Sequence, residues 1–210
     1  MGRPETDEAR RLAMSLLGNG LHDAGRHEDA LSVREAVLAM MRRYHAPVVH
    51  ILAAQSNLAL TYESLERLEE ALNQYRDVYS GRLKLHGAEH EETLRAANNY
   101  AISLQDLERF EEAKVMLRRT VPVAQRVLGE SHLLTLKMRS IYARALCKDP
   151  TATLDDLREA VTTLEETERT ARRVMGRAHP LTTAIEHDLR RSRAALRARE
   201  PRREAPPTSG

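Results

Sequence analysis

The chain has no tryptophan, one phenylalanine and one cysteine in 210 residues, and aromatic side chains make up only 3% of it. Each scarcity excludes something. A single thiol, Cys147, closes no intramolecular disulfide and is too few for a cysteine-based zinc site, so the expected setting is a reducing one, the cytoplasm. Scarce rings leave a core of Ala, Leu, Val and Met, which suits close-packed helices better than a sheet sandwich. No apolar run approaches the roughly 20 residues that a membrane span requires. The opening residues lack the apolar stretch of a secretory signal, although Gly2 and Thr6 match the loose pattern for N-myristoylation. An excess of one charge is also missing. Lys and Arg number 33 against 31 Asp and Glu, with a formal net charge of +2. That balance describes a solvated helical surface. A nucleic-acid binder would be strongly basic and would carry rings for base stacking. There is no Gly-rich phosphate loop, Ser elbow or His-Glu-x-x-His motif, so neither an enzyme nor a cofactor is expected.

What the sequence does contain is repetition. Glu28-Asp29-Ala30, Glu69-Glu70-Ala71, Glu111-Glu112-Ala113 and Arg158-Glu159-Ala160 recur at intervals of 41, 42 and 47 residues. A second anchor lies upstream of each: Leu17-Gly18, Leu58-Ala59, Tyr100-Ala101 and Tyr142-Ala143. A third is a linker, seen at Gly87-Ala88-Glu89-His90, Gly129-Glu130-Ser131-His132 and Gly176-Arg177-Ala178-His179. Self-similarity at such a period is the mark of a stacked helical array.

Each unit reads as two helices. In the third, Leu94, Ala97, Tyr100, Ala101 and Leu104 recur at three- and four-residue steps. A turn near Leu107–Phe110 leads into a second helix with Ala113, Met116, Leu117, Val121 and Val127 on its apolar side. The alanines let paired helices approach closely, since interaxial distance follows side-chain size at the crossing. Gly87, Gly129 and Gly176 are expected to end helices as left-handed residues, and Pro47 and Pro180 to open them. The fourth unit has extra residues in its internal turn, from Cys147 to about Thr153, where Lys148-Asp149-Pro150 breaks the helix. Leu181 to Ala198 is a further helix that caps the array. These signals predict an N-terminal extension at 1–8, repeats at about 9–43, 47–86, 90–128 and 132–175, a capping helix at 180–198, and a Pro-rich disordered tail at 199–210.

At Gly87-Ala88-Glu89-His90-Glu91-Glu92-Thr93-Leu94, with Asn98-Asn99-Tyr100-Ala101 and Arg126-Val127-Leu128-Gly129-Glu130-Ser131-His132, the chain resembles the long tetratricopeptide repeats of kinesin light chains. The resemblance spans roughly residues 9 to 198. It implies an all-α, tetratricopeptide-type right-handed α-solenoid of four helix pairs plus a C-terminal capping helix. It also implies a non-enzymatic scaffold that binds a peptide or protein in a concave groove lined by the first helix of each pair. A structural or self-associating module, or a fragment of a longer repeat protein, is the other reading. The heptad coiled coil that joins a light chain to its motor is not present, so no motor subunit is inferred.

The expected groove positions follow from the period. In the third unit they are Arg95, Asn98, Asn99, Ile102 and Gln105. One repeat earlier they are Ser56, Asn57 and Leu60, and one repeat later Lys137, Ser140 and Arg144. In repeats that resemble these, an Asn at the place of Asn57 and Asn99 hydrogen-bonds an extended peptide backbone, its amide offering both donor and acceptor. Arg95, Lys137 and Arg144 would favour an acidic partner. The remaining candidates have plainer readings. His86 and His90 lie in a linker without a third ligand, and His90, His132 and His179 recur as linker caps. His22 and His27 flank a turn and are expected to be exposed, and Cys147 lacks a nucleophile signature. The seven arginines from Arg190 to Arg203 read as a solvated cap and tail.

Overall fold

The structure, a computed structural model, describes residues 4–200, with side chains from residue 8 onward. The expected tail beyond 200 and Gly2 lie outside the described residues. Among the described residues there are nine helices and no strand. They are α1 (Pro4–Asp23), α2 (His27–Arg43), α3 (Val48–Ser64), α4 (Leu68–His86), α5 (Glu91–Asp106), α6 (Phe110–Leu128), α7 (Leu133–Lys148), α8 (Leu154–Met175) and α9 (Pro180–Arg199). They form two compact units that divide between Arg109 and Phe110.

In the first unit each helix packs on its sequence neighbour, α1 on α2, α2 on α3, α3 on α4 and α4 on α5. The short turns inside the pairs have one recurring feature. Gly25, Glu66 and Glu108, spaced by the repeat, all adopt positive φ, at 75°, 58° and 56°. Two of the three turns thus place a glutamate where glycine is favoured. The core gathers Leu31 and Leu38 of α2, Leu58, Ala59 and Tyr62 of α3, and Ala71 and Tyr75 of α4. Ala59 and Ala71 are fully buried in it, which is the close approach their periodicity implied. Gly81 extends that crossing, for a Cβ there would meet Leu52 Cδ2 at 2.5 Å.

In the second unit α6 packs on α7, α7 on α8 and α8 on α9, and α7 also touches α9. Both units use the same fastener between successive pairs. Thr93 at the start of α5 donates to the Arg82 carbonyl of α4 at 3.2 Å, and Thr135 of α7 donates to the Ala124 carbonyl of α6 at 3.3 Å.

The helix ends refine the sequence reading. Gly87 and Gly176 have φ of 81° and 84° but ψ of 174° and 169°. They occupy the mirror-extended region, which only glycine enters readily, and not the left-handed helical well. The histidine that follows each linker caps the next helix. Nδ1 of His90, His132 and His179 accepts from the backbone N–H two residues on, at 3.1, 3.3 and 3.2 Å. That bond satisfies one of the amides a helix start leaves unpaired. His132→Ala should therefore cost about 0.5–2 kcal/mol in thermal unfolding, while His132→Asn, which keeps an acceptor, recovers most of it. Equal losses from both would mean that the imidazole acts by packing and not as a cap.

Candidate peptide-binding surface

The expected groove residues fall on both units. Asn57, Arg95, Asn98, Asn99 and Ile102 belong to the first, and Lys137 and Arg144 to the second. Arg95 and Lys137 are exposed, Ile102 is about one-third exposed at 36%, and Asn57, Asn99 and Arg144 are half-buried.

Three expected positions differ from the reading. Asn98, Gln105 and Ser140 are buried, at 5%, 8% and 3% exposure. Asn98 and Ser140 share a register, and Gln105 lies two turns beyond Asn98 on the same stripe. In the second unit the Ser140 hydroxyl reaches Asp188 of α9 at 3.5 Å, so that position of α7 points toward the next first helix rather than into solvent. Burial leaves Asn98 poorly satisfied. Its Nδ2 donates to Asn99 Oδ1 at 3.3 Å, while its own Oδ1 is enclosed without a hydrogen-bond partner.

The cations are not equally available. Arg95 is held by Glu91 at 2.7 Å and Glu92 at 3.4 Å. Arg144 lies 3.6 Å from Asp188, and Lys137 has no ion pair among the described residues.

Arg34 of α2 is a further site residue that the sequence reading did not single out. It is buried, and its Nη1 donates to the Asn57 carbonyl at 2.6 Å and to Thr61 Oγ1 at 2.5 Å, while Nη2 donates to Asn19 Oδ1 at 3.0 Å. It ties α1 and α3 together behind Asn57. Burial lowers its pKa, and Asp23 works against that shift. A signal for it was present. The first unit has Gly18 where the later ones have Ala59, Ala101 and Ala143, and a Cβ on Gly18 would crowd Arg34 Cγ at 3.2 Å.

His22 and His27, expected to be exposed, are instead half-buried. Their rings meet edge-on at 4.9 Å, and both Nδ1 atoms are enclosed without partners. Burial, Arg34 and His27 together depress the His22 pKa, against a smaller opposing pull from Asp23. His86 and His90 stack at 4.3 Å. No group of three or more His, Cys, Asp or Glu among the described residues is arranged to hold a metal, and no helix among them is long and apolar enough to cross a membrane.

The model of the tetratricopeptide repeat family matches residues 9–84 and 50–126, which together make up more than half of the chain. The chain belongs to the tetratricopeptide repeat family. Its fold is shared with two crystal structures of the Podosopora anserina putative kinesin light chain nearly identical TPR-like repeats, one of them a substituted variant. The variant matches with a TM-score of 0.78 at 22% identity, covering 94% of this chain and 91% of that one. The other matches at 0.75 and 24%, covering 95% and 90%. BtubC (BKLC) from P. vanneervenii matches at 0.68 and 18%, covering 97% and 93%. No curated protein matches the chain. The array is thus an all-α tetratricopeptide solenoid of the kinesin light chain-like type.

Proposed function

We propose that this tetratricopeptide array is a non-enzymatic, cytoplasmic scaffold that binds an extended peptide or protein segment. The surfaces offered to it are the exposed sides of the first helices, α3 and α5 in the first unit and, taken separately, α7 in the second. The observation that carries the reading is the side of α5 that stays open, where half-buried Asn99 lies beside exposed Arg95 and Ile102. Asn99 offers an amide donor and acceptor, Ile102 an apolar contact, and Arg95 and Lys137 a preference for acidic ligands.

The test begins with affinity capture from the native source and identification of the retained protein. Asn98→Leu should leave unfolding of the free chain unchanged or raise its midpoint, because it removes an enclosed acceptor without a partner. Asn57→Ala with Asn99→Ala should raise the captured partner's off-rate, each lost hydrogen bond being worth about 0.5–1.5 kcal/mol. Arg95→Glu with Lys137→Glu should slow association and remove its salt sensitivity. A partner that binds all of these variants like wild type, with folding intact, would rule out this surface.

One observation favours self-association as a second reading. Leu12, Leu16 and Leu17 of α1 are 51%, 71% and 54% exposed, whereas of the counterparts of Leu17, Leu58 and Tyr142 are buried and Tyr100 half-buried. Light scattering that shows a concentration-dependent oligomer, abolished by Leu17→Glu, would support it.

A further inference from the structure

Unit two contains a cleft between α7 and α9 with a volume of about 430 Å³. Arg144, Cys147, Lys148, Asp188, Arg191 and Ser192 are among its lining residues. Three of these are cations and one is a carboxylate. Arg144 and Arg191 hold the same place in successive first helices, 47 residues apart, and Lys148 lies one turn beyond Arg144 on the same face of α7. Asp188 is committed within the protein, with Oδ2 3.6 Å from Arg144 Nε and 3.5 Å from the Ser140 hydroxyl. Even so, Arg144 Nε is enclosed without a hydrogen bond. Lys148 and Arg191 are exposed and have no acidic partner among the described residues.

Like charges gathered in one cleft repel one another, and a bound anion removes that cost. The local excess of two positive charges matches two carboxylates, which arginine pairs with well through its forked N–H groups. Nucleic acid fits less well, since the wall beyond the cations is Ser192, Ala194 and Ala195 and offers no ring for stacking. The geometry points to this cleft as the acidic subsite of the array. It takes a peptide segment bearing two neighbouring Asp or Glu side chains. The inference rests on the peptide-binding reading above and adds where, and by which residues, the acidic part of the ligand is held.

Cys147 makes the subsite testable, because it is the only cysteine of the chain and lines the cleft. The rate of its alkylation by neutral iodoacetamide is measured on the full chain with added hexaglutamate, hexaglutamine or oligothymidylate. Hexaglutamate should slow alkylation several-fold in low salt, with the protection fading as salt rises, and hexaglutamine should not slow it. Arg144→Glu with Arg191→Glu should weaken hexaglutamate protection by about tenfold or more. Arg119→Glu on α6, an exposed arginine outside the cleft, should leave it unchanged. If the double variant fails to fold, Lys148→Glu at the exposed end of α7 carries the same expectation. Equal protection by hexaglutamine, none by hexaglutamate, protection indifferent to the cleft substitutions, or stronger protection by oligothymidylate would each overturn the assignment. Such a failure, alongside a captured partner that still depends on Asn57 and Asn99, would remove the acidic subsite and leave the scaffold reading standing.

Discussion

Replacing Lys114 by Met should destabilise the second unit by about 3–5 kcal/mol, the loss expected when one partner of a buried ion pair is removed. Lys114 of α6 is only 7% exposed and lies at the extended turn between α7 and α8. Its Nζ is 2.5 Å from Glu111, 3.5 Å from Asp149 and 3.9 Å from Asp156. Burial opposes its charge, but the hydrogen bond to Glu111 and the fields of Asp156, Glu111 and Asp149 outweigh it, so its pKa rises. Asp149, in the turn itself, is 6% exposed. Its Oδ1 accepts from the Thr151 amide at 2.8 Å and the Thr151 hydroxyl at 2.6 Å, and these bonds chiefly lower its pKa against the effect of burial. Without Lys114, that carboxylate is left in the interior with hydrogen bonds but no cation. The double variant Lys114→Met with Asp149→Asn should recover part of the loss, since removing both charges avoids the stranded one.

The pH dependence has a defined sign. A lowered carboxylate pKa contributes stability that is complete above the ordinary Asp range, near pH 4, and is lost as pH falls below it. Wild type should therefore lose stability on acidification below about pH 4, and Lys114→Met should lose less over the same interval, because it has already given up the pairing. Thermal melts from pH 7 downward measure both effects. A Lys114→Met chain that melts within a degree or so of wild type would show that the turn is held by other contacts, for instance those of Arg199 with the Ala152 and Pro150 carbonyls.

That network also marks how far the sequence could be read. The inserted turn was legible, because Lys148-Asp149-Pro150 interrupts an otherwise helical pattern. Its anchoring was not, since Lys114 lies 35 residues away from Asp149 and looks like any lysine just after a glutamate pair. Helix pairs, linkers and crossing alanines were legible for the opposite reason. Each recurs with the period, and recurrence exposes what local packing demands. The groove lay between these extremes. A register identifies which residues share a stripe, but whether a stripe faces solvent depends on what packs against it, as α9 does against Ser140. Arg95 and Lys137 are exposed, whereas Asn98, Gln105 and Ser140 are buried. Arg34 was hidden for a similar reason. It occurs in one unit only, and its sole sequence trace is the Gly18 that makes room for it.

The α3–α4 crossing should resist change in both directions. Leu58 is 3% exposed and Ala59 fully buried, and both pack in the cluster with Leu31, Leu38, Ala71 and Tyr75. Leu58→Ala removes apolar atoms from between three helices that cannot all close on the gap. The expected cost is about 2–5 kcal/mol, combining lost transfer energy with the cavity left behind. Ala59→Leu adds volume where α3 and α4 already approach as closely as small residues allow, and the expected cost is about 1–3 kcal/mol from displaced helices and strained rotamers. Ala101 and Ala113 are likewise fully buried, and a leucine at either should cost about 1–3 kcal/mol by overpacking. The two neighbouring substitutions separate burial from register. A general loss of hydrophobicity would make Leu58→Ala harmful and leave Ala59→Leu neutral or stabilising. A helix crossing fixed by a small residue makes both harmful. The Leu58→Ala cavity should also be relieved in part by Ala71→Leu on the facing helix, since the two residues share one cluster and their effects should not add. Denaturant melts of the three single variants and the double measure the coupling. Strict additivity between Leu58→Ala and Ala71→Leu would mean that the alanine is not set against that leucine at the crossing.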